Sequence, residues 1–135
     1  MAEYMLDTNI CVYLLKDFSG RLGEKFNALA QELCISAITL GELRYGAERS
    51  ARRERNLEGL AQLVARLDVL PFSAAAAAHY GQLRAELQRI GRPAGPLDML
   101  IGGHARSEGL TLVTNNVREF ARMPGLRVEN WVEGP

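Results

Sequence analysis

Short apolar runs closed by polar residues or glycine alternate along this chain with stretches in which leucines return every three or four positions. The runs EYML from Glu3, LCISAI from Leu33, LDVLPF from Leu67, LTLVT from Leu110 and LRVEN from Leu126 read as five strands. Their nearly unbroken apolarity suits strands buried on both faces. Leu22, Phe26, Leu29 and Leu33 keep helical spacing, as do Leu57, Leu60, Ala61, Val64 and Leu67, and later Tyr80, Leu83, Leu87 and Ile90. Ser73 before the alanines Ala74 to Ala78 predicts a capped helix start. GRPAGP, residues 91–96, stops one helix and starts the next. Alternating strands and helices predict an α/β fold with a mostly parallel sheet, because parallel neighbours need crossovers and the crossovers become the covering layers. In such sheets ligands bind beyond the carboxyl ends of the strands.

Composition narrows the class. The 135 residues, 47% hydrophobic and 24% charged, suit one globular domain spanning 1–135. No apolar stretch approaches a membrane span and MAEYMLD has no signal-peptide character, so a soluble, cytoplasmic protein is expected. Cys11 and Cys34 lack CxxC spacing and read as buried apolar residues. Sixteen basic residues balance sixteen acidic ones, so attraction for a polyanion has to be local. Five arginines, Arg44, Arg49, Arg52, Arg53 and Arg55, stand against Glu48 and Glu54, a local excess of three positive charges. This run is either a solvated helix face or a phosphate-binding patch.

Candidate chemistry sits at strand ends. Asp7 follows the first strand, Glu42 lies in TLGE after the second, and Asp98 lies in GPLD. Asn116 and Glu119 follow Thr114 at the end of the fourth strand. Each alone has a structural reading. Asp7, Thr8 or Asn9 can cap a helix, Thr39 with Glu42 and Asn116 with Glu119 have capping-box spacing, and Asp98 suits a first turn after Pro96. Caps, however, need not converge, whereas these residues fall along one expected rim. Close carboxylates repel unless a cation neutralises them, and hard oxygen ligands select Mg²⁺ or Mn²⁺. His79 and His104 have no metal spacing and read as surface or partly buried structure.

YMLDTN, ISAITLGELRYGA, GPLDMLIGGHA and LVTNNVREF, in this order, resemble the PIN-domain ribonucleases, above all the VapC-type toxins of bacterial toxin-antitoxin pairs. The resemblance covers essentially the whole chain and implies a three-layer sandwich, a mostly parallel five-stranded sheet with helices on both faces. It also implies an acidic triad of Asp7, Glu42 and Asp98, with Asp7 and Asp98 as metal ligands. Many PIN domains have an Asp after the Thr of the fourth strand. Here Asn115 and Asn116 stand there, which makes Glu119 the candidate fourth acid. Gly102 and Gly103 replace the usual small alanines and cost about 1 kcal/mol each, unless the helix approaches the sheet or a partner closely.

The implied activity is hydrolysis of RNA phosphodiester bonds with Mg²⁺ or Mn²⁺. Thr8, Asn9 and Thr114 would position phosphate or water, Asn116 would hold a metal-bound water, and the five arginines would dock RNA. Structured RNA such as tRNA, a VapB-like antitoxin and a toxin homodimer are implied partners; no membrane is expected. Tyr4, Tyr13, Tyr45, Phe72 and Trp131 lie in apolar patterns and are assigned to the core, Tyr45 beside the site. A receiver-type phosphoacceptor is disfavoured because the lysines are Lys16 and Lys25, neither near the final strand. An RNA-processing PIN nuclease and a non-catalytic PIN-fold binding module stay open as alternatives.

Overall fold

A computed structural model describes residues 1–132. Its strands β1 (Tyr4–Leu6), β2 (Leu33–Ser36), β3 (Asp68–Leu70), β4 (Thr111–Val113) and β5 (Arg127–Glu129) form one sheet in the order β3-β2-β1-β4-β5. Every pairing is parallel, so the sheet is more uniform than the mostly parallel one expected. The chain runs outward from β1 through β2 to β3, then crosses back to lay β4 on the other side of β1. The β1/β4 crevice is therefore the topological switch point, where a parallel sheet opens to receive a ligand.

The helices are α1 (Thr8–Lys16), α2 (Arg21–Leu29), α3 (Ala37–Glu48), α4 (Arg53–Val64), α5 (Ala74–Arg89), α6 (Pro96–Ser107) and α7 (Val117–Phe120). They divide between two cores because alternate strand residues point to opposite faces. Met5, Cys34 and Leu112 pack with Leu83, Leu87, Met99, Ala105 and Phe120 under α5, α6 and α7. Leu6, Ile35 and Val113 pack with Ile10, Leu14, Phe26, Leu43 and Leu60 under α1 to α4. These are the two outer layers of the expected sandwich. Cys11 and Cys34 are free, buried thiols, one in each core.

Sheet position decides how buried a strand is. β1, β2 and β4 are enclosed apart from their outer ends, whereas Asp68 in β3 and Arg127 and Glu129 in β5 are exposed, so the two edge strands are not buried on both faces. Leu33 continues the helical spacing of α2 but begins β2, after a short 3₁₀ turn over residues 30–32. Ser73 caps α5 by accepting the Ala76 N–H, and Pro96 occupies the first turn of α6, both as expected.

Gly102 and Gly103 have a local cause. A Cβ on Gly103 would lie 2.8 Å from the backbone nitrogen of Tyr80, and one on Gly102 would lie 2.4 Å from Met123 Sδ. The close neighbours are α5 and the Met123 side chain. Gly103 thereby lets α6 lie directly against the α5 backbone. His104 is fully buried, beyond the surface or partly buried placement expected. Its Nδ1 hydrogen-bonds Ser36 Oγ at 2.8 Å, and the Phe72 ring meets it edge to face.

Candidate active site

Asp7 leaves β1 at the switch point and is 3% exposed. It does two jobs. One carboxylate oxygen accepts the Ile10 N–H at 2.9 Å and caps α1, and the other accepts the Thr114 hydroxyl across the β1/β4 crevice. Burial pushes its pKa up, while Thr114 and the backbone N–H groups of Ile10 and Asn9 oppose the rise. Thr114 is itself fully buried and accepts the Asn116 N–H at 2.9 Å, which fixes the turn leaving β4.

Asp98 enters on the first turn of α6, and its pKa is raised to about 6, first by burial, then by Glu119, then by Asp7. Glu119 is held in place. One of its oxygens accepts the Gly95 N–H at 3.0 Å, and the other accepts from Arg122 at 3.0 Å. Asn116 stands at the start of α7 without making a side-chain cap, so the capping-box geometry suggested by Asn116 and Glu119 does not form.

A second correction concerns α3. Its cap is Ser36, which accepts the Ile38 N–H at 3.0 Å, so the helix begins ahead of Thr39 and the Thr39–Glu42 capping box does not exist. Thr39 is buried inside the helix, where the Thr8 hydroxyl reaches its Oγ1 at 3.3 Å. Glu42 lies one turn further along and lines a groove with Thr8, Lys16, Arg49, Arg52 and Arg55. The groove encloses about 740 Å³.

The arginine run therefore splits. Arg49, Arg52 and Arg55 line the groove, whereas Arg44 and Arg53 engage Glu48 at 3.2 and 2.6 Å. Lys16, which the sequence pattern does not single out, joins the groove from the end of α1. A cue exists, since Thr8, Val12 and Lys16 recur at four-residue steps on one helix face. Tyr13 and Tyr45 are 44% and 64% exposed and do not belong to the core; Tyr4 and Phe72 are partly buried, and Trp131 is core. Asn9 is exposed beside Tyr13 in a separate small hollow.

The donor chemistry fits a hard divalent cation. Asp98 is held protonatable near neutrality by burial and neighbouring negative charge, the strain that a cation relieves. Among the described residues no three acidic, imidazole or thiol groups close around one point.

A PIN-domain family model matches residues 4–126. The chain is 55% identical over 131 residues to the tRNA(fMet)-specific endonuclease VapC of Shigella flexneri, covering 97% of this chain and 99% of that one. It is 47% identical to ribonuclease VapC2 of Haemophilus influenzae, covering 98% of this chain and all of that one. The fold superposes with a TM-score of 0.94 on the crystal structure of DNA-bound VapBC from Salmonella typhimurium, at 51% identity over 97% of this chain and 99% of that one. The chain belongs to the PIN-domain family, in its VapC branch of toxin endoribonucleases. Among the described residues no helix is long and apolar enough to cross a membrane.

Proposed function

We propose that this endoribonuclease cuts structured RNA, tRNA(fMet) foremost, at a metal site built on Asp7 and Asp98. The observation that carries the site is the buried Asp7 carboxylate clamped by Thr114 at the switch point, close enough for its charge to lift Asp98. The substrate reading is supported by the relatives whose names specify tRNA(fMet).

Asp7 and Asp98 would hold Mg²⁺ or Mn²⁺, which when bound supplies Lewis-acid polarisation of the phosphoryl oxygen and acidifies water toward neutral pH. The remaining chemistry is done by the chain. Thr114 and the helix-capping bond fix the rotamer of Asp7. Glu119 fixes the Gly95 backbone ahead of α6 and thereby the placement of Asp98. Glu42 accepts a proton from, or orients, the attacking water at the mouth of the groove. Thr8 hydrogen-bonds phosphate or water from the groove, Asn9 orders water on the other flank of α1, and Asn116 holds a water without adding charge. Arg49, Arg52 and Arg55 with Lys16 draw the RNA backbone toward an otherwise acidic end. The attacking group is water, so no Ser, Cys or His nucleophile is required.

We further propose that the chain acts as one cytoplasmic domain, pairs with a VapB-like antitoxin and forms a homodimer within a larger assembly. The VapBC complexes of its relatives support this reading.

The test is cleavage of a tRNA pool by the purified protein with Mg²⁺ or Mn²⁺, with EDTA, and with Asp7→Asn, mapping product ends. Discrete fragments lost under both EDTA and Asp7→Asn support the site. Identical fragments from the variant overturn it, and absence of tRNA products with retained cleavage of other RNA overturns the substrate.

A further inference from the structure

Helix α1 is a ridge between two hollows of different chemistry. On one flank lies the groove of Arg49, Arg52 and Arg55. On the other lies a hollow of about 330 Å³ lined by Asn9, Val12, Tyr13, Lys16 and Asn115. Val12 and Lys16 line both, so they form the crest. Asn9, Tyr13 and Lys16 stand four and three residues apart, which places them on one helix face.

We infer that this second hollow binds one nucleobase of the RNA, the base adjoining the cleaved phosphate. The inference rests on the placement of the cleavage chemistry at Asp7. The hollow adjoins that point twice over, because Asn9 is two residues beyond Asp7 and Asn115 directly follows Thr114, which donates to Asp7.

Its chemistry is that of a base and not of a phosphate. The lining contains no arginine and no acid, and its one charge is the crest residue Lys16. The Tyr13 ring is 44% exposed although it carries a large apolar face. Asn115 Nδ2 donates to the Tyr13 hydroxyl at 3.3 Å and holds the ring, while Asn115 Oδ1 is buried with no hydrogen-bond partner among the described residues. A phenol face for stacking, the Val12 side chain beside it and the exposed Asn9 amide, which can both donate and accept, are what an unpaired base requires. Lys16 on the crest is placed to meet the phosphate between the base and the arginine groove. The two flanks thus divide the work, one holding backbone and the other holding a base.

The experiment uses the full chain carrying Asp7→Asn and an RNA hairpin copying the anticodon arm of tRNA(fMet), with 2-aminopurine placed in turn at each loop position. The expected result is quenching at one position on binding, abolished by adding Tyr13→Ala and kept with Tyr13→Phe. In protein with Asp7 intact, Tyr13→Ala is expected to lower kcat/KM roughly tenfold or more. Removing the base at the quenched position should abolish the difference between the natural protein and Tyr13→Ala. Binding without a Tyr13-dependent quench at any position overturns the inference, as does a Tyr13→Ala defect that persists undiminished on the abasic RNA. Quenching combined with a failure of the protein with Asp7 intact to cut any RNA would instead overturn the chemistry assigned to Asp7 and leave the base site standing.

Discussion

Ser36 and His104 are 68 residues apart in sequence and 2.8 Å apart in the fold. Ser36 caps α3, the helix that carries Thr39 and Glu42, and His104 sits on α6, six residues after Asp98. One buried hydrogen bond thus joins the two helices that bring acids to the rim from opposite faces of the sheet. Ser36→Ala removes both the cap and the imidazole's partner. A loss of about 1–3 kcal/mol in unfolding free energy is expected by urea titration, with the m-value unchanged.

Burial holds the His104 imidazole below its ordinary value of 6.5, with Glu108 opposing. An unfolded chain takes up the proton near pH 6.5, while the folded ring resists it. The stability tied to the neutral ring is therefore complete above pH 6.5 and is lost as pH falls from there through the depressed folded value. Urea midpoints from pH 7 to 5.5 should fall more steeply in the natural protein than in His104→Gln. The difference is at most about 1.4 kcal/mol per pH unit.

Asp98 has the opposite sign. Its folded value of about 6 lies above the ordinary 3.8, so the metal-free folded state favours the proton more than the unfolded chain does. Stability from this group is present below 3.8 and declines as pH rises through about 6. Asp98→Asn should therefore raise the melting temperature of the metal-free protein at pH 7 by several degrees. Added Mg²⁺ should stabilise the natural protein and leave the variant nearly unmoved.

Gly103 and Gly102 separate two kinds of close approach. Alanine at 103 would drive a methyl into the Tyr80 backbone, so α5 and α6 must part and a loss of about 1–3 kcal/mol is expected. Alanine at 102 meets Met123 Sδ, part of a flexible but fully buried side chain that has to shift within its core, and this cost offsets a helix-propensity gain of about 1 kcal/mol. Urea midpoints should rank Gly103→Ala well below Gly102→Ala.

If the groove holds the RNA backbone, replacing Arg49 and Arg52 with Gln should reduce the slope of log affinity against log salt by about 0.7 for each phosphate that is no longer neutralised. Arg44→Gln should leave the slope nearly unchanged, since that side chain already pairs with Glu48. Filter binding of RNA to Asp7→Asn protein across a salt series measures both slopes.

The sheet and the rim are largely legible in the sequence because β1, β2 and β4 are enclosed and so carry a dense apolar signal. β3 and β5 are legible as elements but not in their burial, since exposure of Asp68, Arg127 and Glu129 follows from sheet order, and order is not written in local pattern. Thr39 and Glu42 have capping spacing on paper, yet Ser36 captures the first turn ahead of them. The facing of Tyr13, Tyr45 and Lys16 is hidden for a related reason. Their apolar neighbours reveal that a helix exists and say little about which side of it meets solvent. The burial of His104 escapes a local reading because the groups that enclose it, Ser36 and Phe72 among them, come from elsewhere in the chain.

The central place of β1 has a consequence for timing. Its partners β2 and β4 arrive from residues 33 and 111 onward, and the hydroxyl that clamps Asp7 belongs to Thr114. A chain still emerging from the ribosome carries Asp7 and Glu42 long before, and Asp98 shortly before, it can lock the first of them in place. If the chemistry is at Asp7, synthesis of the segment from β4 onward is the arming step, and fragments that end before β4 are expected to be harmless to the cell that makes them.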